Sequence, residues 1–194
     1  MAAIRIVNPR TRIPEGAVVV NTTSRSRELW SRGLFPFHLG PVKMWDGSLC
    51  LNVENAWQYS KVYPDQVAAL GDPTQQWYQW ASAGWRSPSA VRYPRGRGAK
   101  PLYSYWAGRK YDYIGARKNL YCPIYATAVY NTEAFAILHQ LYTTNREIWL
   151  IDFDGYDYIA KGKTLLDVIN DPTKKMGHAF VLAMLLTDQY VWKT

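Results

Sequence analysis

Asn52-Val53-Glu54-Asn55-Ala56-Trp57-Gln58-Tyr59-Ser60-Lys61 is the stretch on which the reading of this chain turns. On a helix, Glu54, Gln58 and Lys61 stand at i, i+4 and i+7, so a carboxylate, an amide and an ammonium rise in order from one face. Val53 and Trp57 occupy the adjoining stripe, suited to anchoring the helix in a core while the polar face looks into a cleft. Asn52 is placed to cap it, its side-chain oxygen accepting a backbone N–H of the first turn. Two meanings stay open for the face: a binding or catalytic ladder, or a solvated surface held together by Glu/Lys attraction, the commoner fate of charged helical faces.

Upstream, Ile4–Val7 and Val18–Asn21 are β-branched and predict short strands around a turn-rich segment from Asn8-Pro9 to Gly16. Ser24–Arg32 predicts a helix capped by Ser24 or Ser26. Leu34–Val42, interrupted by two prolines and a glycine, predicts a loop feeding a hairpin of Val42–Trp45 and Ser48–Leu51 turned by Asp46-Gly47, which delivers the chain into the pivot helix.

Downstream, residues from about 64 to 112 turn rich in Trp, Tyr, Arg, Gly and Pro, and read as a basic, aromatic insertion. Asp72-Pro73 predicts a helix start, as cap and first residue, for a helix carrying Trp77, Tyr78 and Trp80. The run containing Arg92, Arg95, Arg97 and Lys100 is basic and punctuated by glycine. It suits phosphate contacts and equally suits a solvated loop. Tyr103, Tyr105, Trp106, Tyr111 and Tyr113 are expected to pack the insertion onto the body. Ile114–Tyr130 is helical in pattern, but Pro123 demands a break or kink. Thr132–Tyr142 predicts an amphipathic helix and Arg146–Ile151 a strand. That strand runs into Asp152-Phe153-Asp154-Gly155-Tyr156-Asp157, either an acid/base or metal cluster or a solvated turn with Asx caps. A last helix is predicted from Asp171-Pro172 through Leu185, with Lys174, Lys175 and His178 near its anion-attracting start.

The 194 residues suit one α+β domain, mainly helical with a few short strands. No window has the apolar run of a membrane span, and Met1-Ala2-Ala3-Ile4-Arg5 lacks the apolar core of a signal peptide, so no membrane partner and a cytoplasmic location are expected. Cys50 and Cys122, the two cysteines, have no metal-ligand spacing and read as buried thiols; His38, His139 and His178 are scattered, so neither metal nor cofactor is expected. A net charge of +8 favours phosphate-rich partners, nucleic acid or a nucleotide, and nine tryptophans and fifteen tyrosines supply stacking surfaces or ordinary core. Phosphate-loop, dinucleotide-binding and serine-hydrolase motifs are absent.

Taken in order, these pieces resemble the NADAR family, the YbiA-like N-glycosidases. Glu54-x-x-x-Gln58-x-x-Lys61 is similar to that family's Glu-His-ar-ar-Gln-x-x-Lys helix, ar being aromatic or small. Phe35-Pro36-Phe37-His38-Leu39-Gly40-Pro41-Val42 with Asp46-Gly47 is similar to its Leu-Ser-Asn-Phe-Tyr-Pro segment and hairpin. Ala126 to Asp152 resembles the stretch from Ala-Lys-Phe to Leu-x-x-Thr-Gly-x-x-x-Leu-x-Glu, and Met176-Gly177-His178-Ala179-Phe180-Val181 the closing Leu-Gly-x-x-Leu-Met helix. The chain departs at Pro36, Asp152, Ala160 and Lys174, where asparagine, glutamate, tryptophan and asparagine are usual.

The resemblance implies hydrolysis of an N-glycosidic bond in an ADP-ribosyl or phosphoribosyl compound, including ADP-ribosylated guanine in nucleic acid. It implies Glu54 as the carboxylate that stabilises oxocarbenium-like charge and orients water or a ribose hydroxyl. Lys61 becomes a phosphate contact or, deprotonated, an amine that attacks the opened sugar. Gln58 would hold substrate or orient Glu54, Trp57 or an aromatic of the insertion would stack a base, and Asp152 or Asp157 would supply a second acid/base. Phe37, His38 and His178, in the similar segments, and Lys174, where the asparagine is usual, would be further substrate contacts. The alternatives are a non-catalytic nucleotide or nucleic-acid binding module on the same fold, and an assembly protein of a mobile element.

Overall fold

Ala3–Val7 and Val18–Asn21 form strands β1 and β2, in keeping with their β-branched content, in a computed structural model that describes residues 3–194. The helix predicted over Ser24–Arg32 does not form. Only Trp30–Leu34 coils, as a 3-10 turn. Short polar side chains have captured the backbone instead: Asn21 Oδ1 accepts the Thr23 N–H (3.0 Å), Thr23 Oγ1 the Arg25 N–H (3.2 Å) and Ser26 Oγ the Glu28 N–H (3.1 Å). Such local bonds compete directly with a helix.

Val42–Lys43 (β3) and Leu49–Cys50 (β4) make the expected hairpin, with shorter strands, around Gly47 at a left-handed φ of 85°. Val53–Gln58 is helix α1, and Asn52 caps it, accepting the Asn55 N–H at 2.8 Å. The preceding loop seats its start, since Val53 and Glu54 donate to the Leu39 and Pro36 carbonyls. The helix stops at Gln58, so Lys61 lies beyond it, opening strand β5 (Lys61–Val62).

The segment read as an insertion packs into the main core. α2 (Gln75–Arg86) buries Trp77, Ala81 and Trp85 in the main core, and Trp77 Nε1 donates to the Lys61 carbonyl at 2.9 Å. Its cap is Thr74, not Asp72; Asp72 instead pairs with Lys110 at 2.8 Å. β6 (Tyr103–Trp106) pairs with both β5 and β7 (Arg109–Tyr111), and Tyr103, Tyr105, Trp106 and Tyr111 pack against the core. Tyr113, by contrast, is exposed.

α3 (Tyr113–Ala116) and α4 (Cys122–Tyr130) are joined by a π-helical turn at Arg117–Tyr121. That turn is where the break demanded by Pro123 falls: a proline has no N–H for the helical ladder and crowds the preceding turn, and widening the turn relieves both. Thr132 caps α5 (Glu133–Thr144). β8 (Glu147–Ile151) then enters between β1 and β2 and pairs in parallel with each, giving the order β1-β8-β2.

A helix unforeseen in the sequence, α6 (Leu165–Asn170), starts from a Thr164/Asp167 capping box. Asp171 closes α6 rather than opening the last helix, its side chain accepting the Thr173 N–H in an Asx turn. The last helix, α7, is His178–Leu186; every residue in it is buried, and it packs on β1 and α4. With about 39% helix and 15% strand in one domain, the fold is α+β and mainly helical. Cys50 and Cys122 are buried free thiols, and burial pushes the Cys50 thiol up to about 11. Among the described residues no helix is long and apolar enough to cross a membrane.

Candidate active site

All three strands of the parallel sheet end on one side, where Thr22 and Asp152 continue the ladder by donating to the Ile151 and Val7 carbonyls (3.1 and 2.9 Å). The carboxyl ends of parallel strands are where such sheets hold ligands. A cavity of about 440 Å³ opens there, its wall shared by α1, the π turn, the start of α7 and the loops after Leu34, Arg86 and Ile151.

Glu54, Gln58, Trp57 and Lys61 all line it. Gln58 Nε2 donates to Glu54 Oε1 at 2.9 Å, and Lys61 Nζ donates to Gln58 Oε1 at 2.6 Å. The ladder is therefore a hydrogen-bonded relay, although its third member comes from β5. Tyr59 and Ser60 turn the chain back so that the ammonium still reaches the helix, standing 4.8 Å from the Trp57 ring centroid. Glu54 is only 7% exposed, which removes the solvated-face reading. Its Oε2 accepts no hydrogen bond among the described residues.

Burial pushes the Glu54 carboxyl up, while the Gln58 bond and the charges of Lys61 and Arg92 pull it down. Burial likewise lowers Lys61 to about 8; Glu54 opposes this, and Lys175 and Arg92 add to it. Both shifts follow from taking a charge out of water.

Aromatic rings make up much of the remaining wall. Phe35 and Phe37 stack at 4.6 Å between centroids, Phe153 meets Phe35 edge-on at 6.3 Å, and Trp57 leans on Tyr121 at 5.2 Å. Asp152 and His178 line the cavity too, but their polar atoms serve the fold. Asp152 Oδ1 accepts the Asp154 N–H, and Oδ2 accepts the Ala179 N–H and faces His178 Nδ1 at 3.0 Å. His178 Nε2 faces the Thr22 hydroxyl (2.7 Å) and carbonyl (2.9 Å), leaving neither ring nitrogen for a ligand. The anion attracted by the start of α7 is thus Asp152 itself.

Other predicted residues lie elsewhere. Asp157 pairs with Arg5 (3.3 Å) and accepts the Ala160 N–H, outside the cavity, as expected of a capped turn. Lys174 is exposed and outside; its neighbour Lys175 lines the cavity instead, because α7 begins later than the sequence suggested. His38 is exposed over a second, separate concavity. Of the basic run, Arg92 and Lys100 reach the wall, Arg95 pairs with Asp65 and Arg97 lies over Tyr93 (5.7 Å). Among the described residues no group of three or more His, Cys, Asp or Glu could hold a metal ion.

Arg117 escaped the sequence reading of the site, and Asp154 entered it only as one carboxylate of the acidic turn. Arg117 is 2% exposed, stacks on Tyr113 (4.2 Å to the centroid) and donates to the carbonyls of Val168, Ile169, Asp171 and Lys174. Lys118 and Asn119 follow it directly, so nothing in the local sequence set it apart. Asp154 accepts from Arg92 Nη2 at 2.7 Å, a pairing across 62 residues that no local pattern announces. No family model matches the chain, and neither a curated protein nor a solved structure does.

Proposed function

We propose that the chain is an N-glycosidase of the NADAR type, hydrolysing the bond between ribose C1′ and a base nitrogen in an ADP-ribosyl or phosphoribosyl compound. The observation that carries this reading is the Glu54–Gln58–Lys61 relay, buried in the wall of an aromatic, cation-bearing cavity of about 440 Å³. That volume suits a nucleotide-sized ligand. As the C1′–N bond breaks, its electron pair leaves with the base and positive charge spreads over C1′ and the ring oxygen. A carboxylate whose second oxygen is free is suited to stabilising that charge and orienting the incoming water. Gln58 fixes the other oxygen, and Lys61, Arg92, Lys100 and Lys175 offer positive charge for the phosphates. Asp152, with its oxygens engaged, is assigned a holding role.

Incubation with DNA carrying ADP-ribosylated guanine, and separately with ribosylaminopyrimidine phosphates, tests the reading: release of ADP-ribose or ribose phosphate is expected from one of them. Glu54→Gln keeps an acceptor for Gln58 and removes the charge. It should abolish release while leaving Tm near pH 7 unchanged or raised, since a carboxyl pushed up by burial loses stability as pH rises through its folded value. Turnover that survives Glu54→Gln rules out the assignment of Glu54. The engagement of Asp152 and the absence of Asp157 from the cavity favour, as a second reading, a binding module without chemistry. Tight binding of ADP-ribose with no turnover of either substrate would select it.

A further inference from the structure

Asn55 follows Glu54 in the pivot helix but faces away from the cavity, and it is fully buried. Its carboxamide reaches the last turn of α2 and the segment after it. Nδ2 donates to the carbonyls of Gly84 (3.0 Å) and Ser89 (2.9 Å), with Ser87 O at 3.4 Å, and Oδ1 accepts the Val91 N–H at 2.8 Å. Every hydrogen-bonding function of the side chain is thus used on backbone groups 29 to 36 residues away.

The segment so gripped, residues 87–102, has no regular secondary structure and lies mostly in water. It crosses the cavity wall as a cationic strap bearing Arg92, Tyr93 and Lys100. Arg92, next to the clamped Val91, is held at its far end by Asp154 (2.7 Å), and its charge acts on the Glu54 carboxyl. With few buried apolar contacts of its own, such a strap stays ordered only through its polar ties.

We propose that Asn55 is a positioning residue that ties the Glu54 helix to the cationic strap and thereby fixes Arg92 in the cavity wall beside Glu54. Its mechanical part rests on geometry alone; its consequence for turnover rests on the N-glycosidase reading. Without the clamp, a substrate has to order the strap as it binds, which raises KM more than it lowers kcat.

The test compares Asn55→Ala with Val53→Ala, a fully buried core neighbour in the same helix whose apolar side chain makes no hydrogen bond to the strap. At a temperature well below both Tm values, trypsin should cut Asn55→Ala after Arg92, Arg95 or Arg97 about tenfold or more faster than Val53→Ala or the parent chain. Equal rates for the two variants overturn the proposal. The parent chain gives a readout that needs no variant: the Val91 amide should exchange with solvent about a hundredfold or more slower than a free amide, and exchange at the free rate overturns the proposal. On whichever of the two substrates the parent chain turns over, Asn55→Ala should raise KM several-fold with kcat nearly kept, whereas a loss confined to kcat overturns the positioning role. No turnover of either substrate by the parent chain overturns the N-glycosidase reading instead, and leaves the digestion and exchange results to decide the clamp.

Discussion

Lys61 is the group expected to give the site a pH dependence. With its ammonium lowered to about 8, competitive labelling with an amine reagent should show half-maximal reactivity near pH 8; a midpoint at 10 or above would refute its desolvation. The same value separates two chemistries. If the ammonium grips phosphate, KM climbs as pH passes 8; if the free amine attacks the sugar, the rate rises to a plateau above 8. The sign for stability follows. A lysine whose folded value lies below its ordinary 10.5 burdens the fold fully below about 8, and not at all above 10.5. Lys61→Met should therefore raise Tm near neutrality, by on the order of 1–3 kcal/mol of stability, with the gain vanishing as pH approaches 11. Gly177 is a second point of tension: a Cβ there would overlap both Asp152 carboxylate oxygens. Gly177→Ala should pry Asp152 from His178 and the Ala179 N–H, costing about 2–3 kcal/mol in denaturant unfolding. A loss below about 0.5 kcal/mol would mean that this carboxylate holds little.

Caps decide the elements. Asp72-Pro73 and Asp171-Pro172 have the composition of helix starts, yet Thr74 caps α2 and Asp171 ends α6. An aspartate before a proline serves an Asx turn as readily as a helix, and only the downstream packing chooses. Thr74→Ala should accordingly cost about 1 kcal/mol, whereas Asp72→Ala, which breaks an exposed pair with Lys110, should cost roughly 0.5 kcal/mol or less. The reverse ranking in thermal unfolding would restore Asp72 as the cap. The π turn at Arg117–Tyr121 belongs to the same scale. Pro123 announced a break, and the break carries Arg117 and Tyr121 into the cavity wall, a use that no periodicity announces.

For the whole molecule, the charge of +8 becomes a property of a face only once the chain is folded. Arg95 is paired with Asp65, while Lys100 lines the cavity and Arg97 is exposed beside it. Binding of a single-stranded oligonucleotide should weaken with salt, and Arg97→Ala and Lys100→Ala should each reduce the slope of log K against log salt by about 0.7–1. An unchanged slope would detach the strap from nucleic acid. The sequence by itself determined what local rules control: β1 and β2 from β-branched runs, the strand before Asp152, the Asp46-Gly47 hairpin, the cap at Asn52, and the spacing that brings Glu54 and Gln58 together. Those features depend on neighbours within a few residues, and their chemistry is written where they stand. Tertiary structure alone decided that Glu54 is buried rather than solvated, that Asp152 is bound to α7 while Asp157 is turned outward, and that Arg92, Arg117 and Asp154 join the site. Each of these is settled by contacts between residues far apart in the chain, where which face is covered, and by what, follows from the packing of the whole core rather than from any run of the chain.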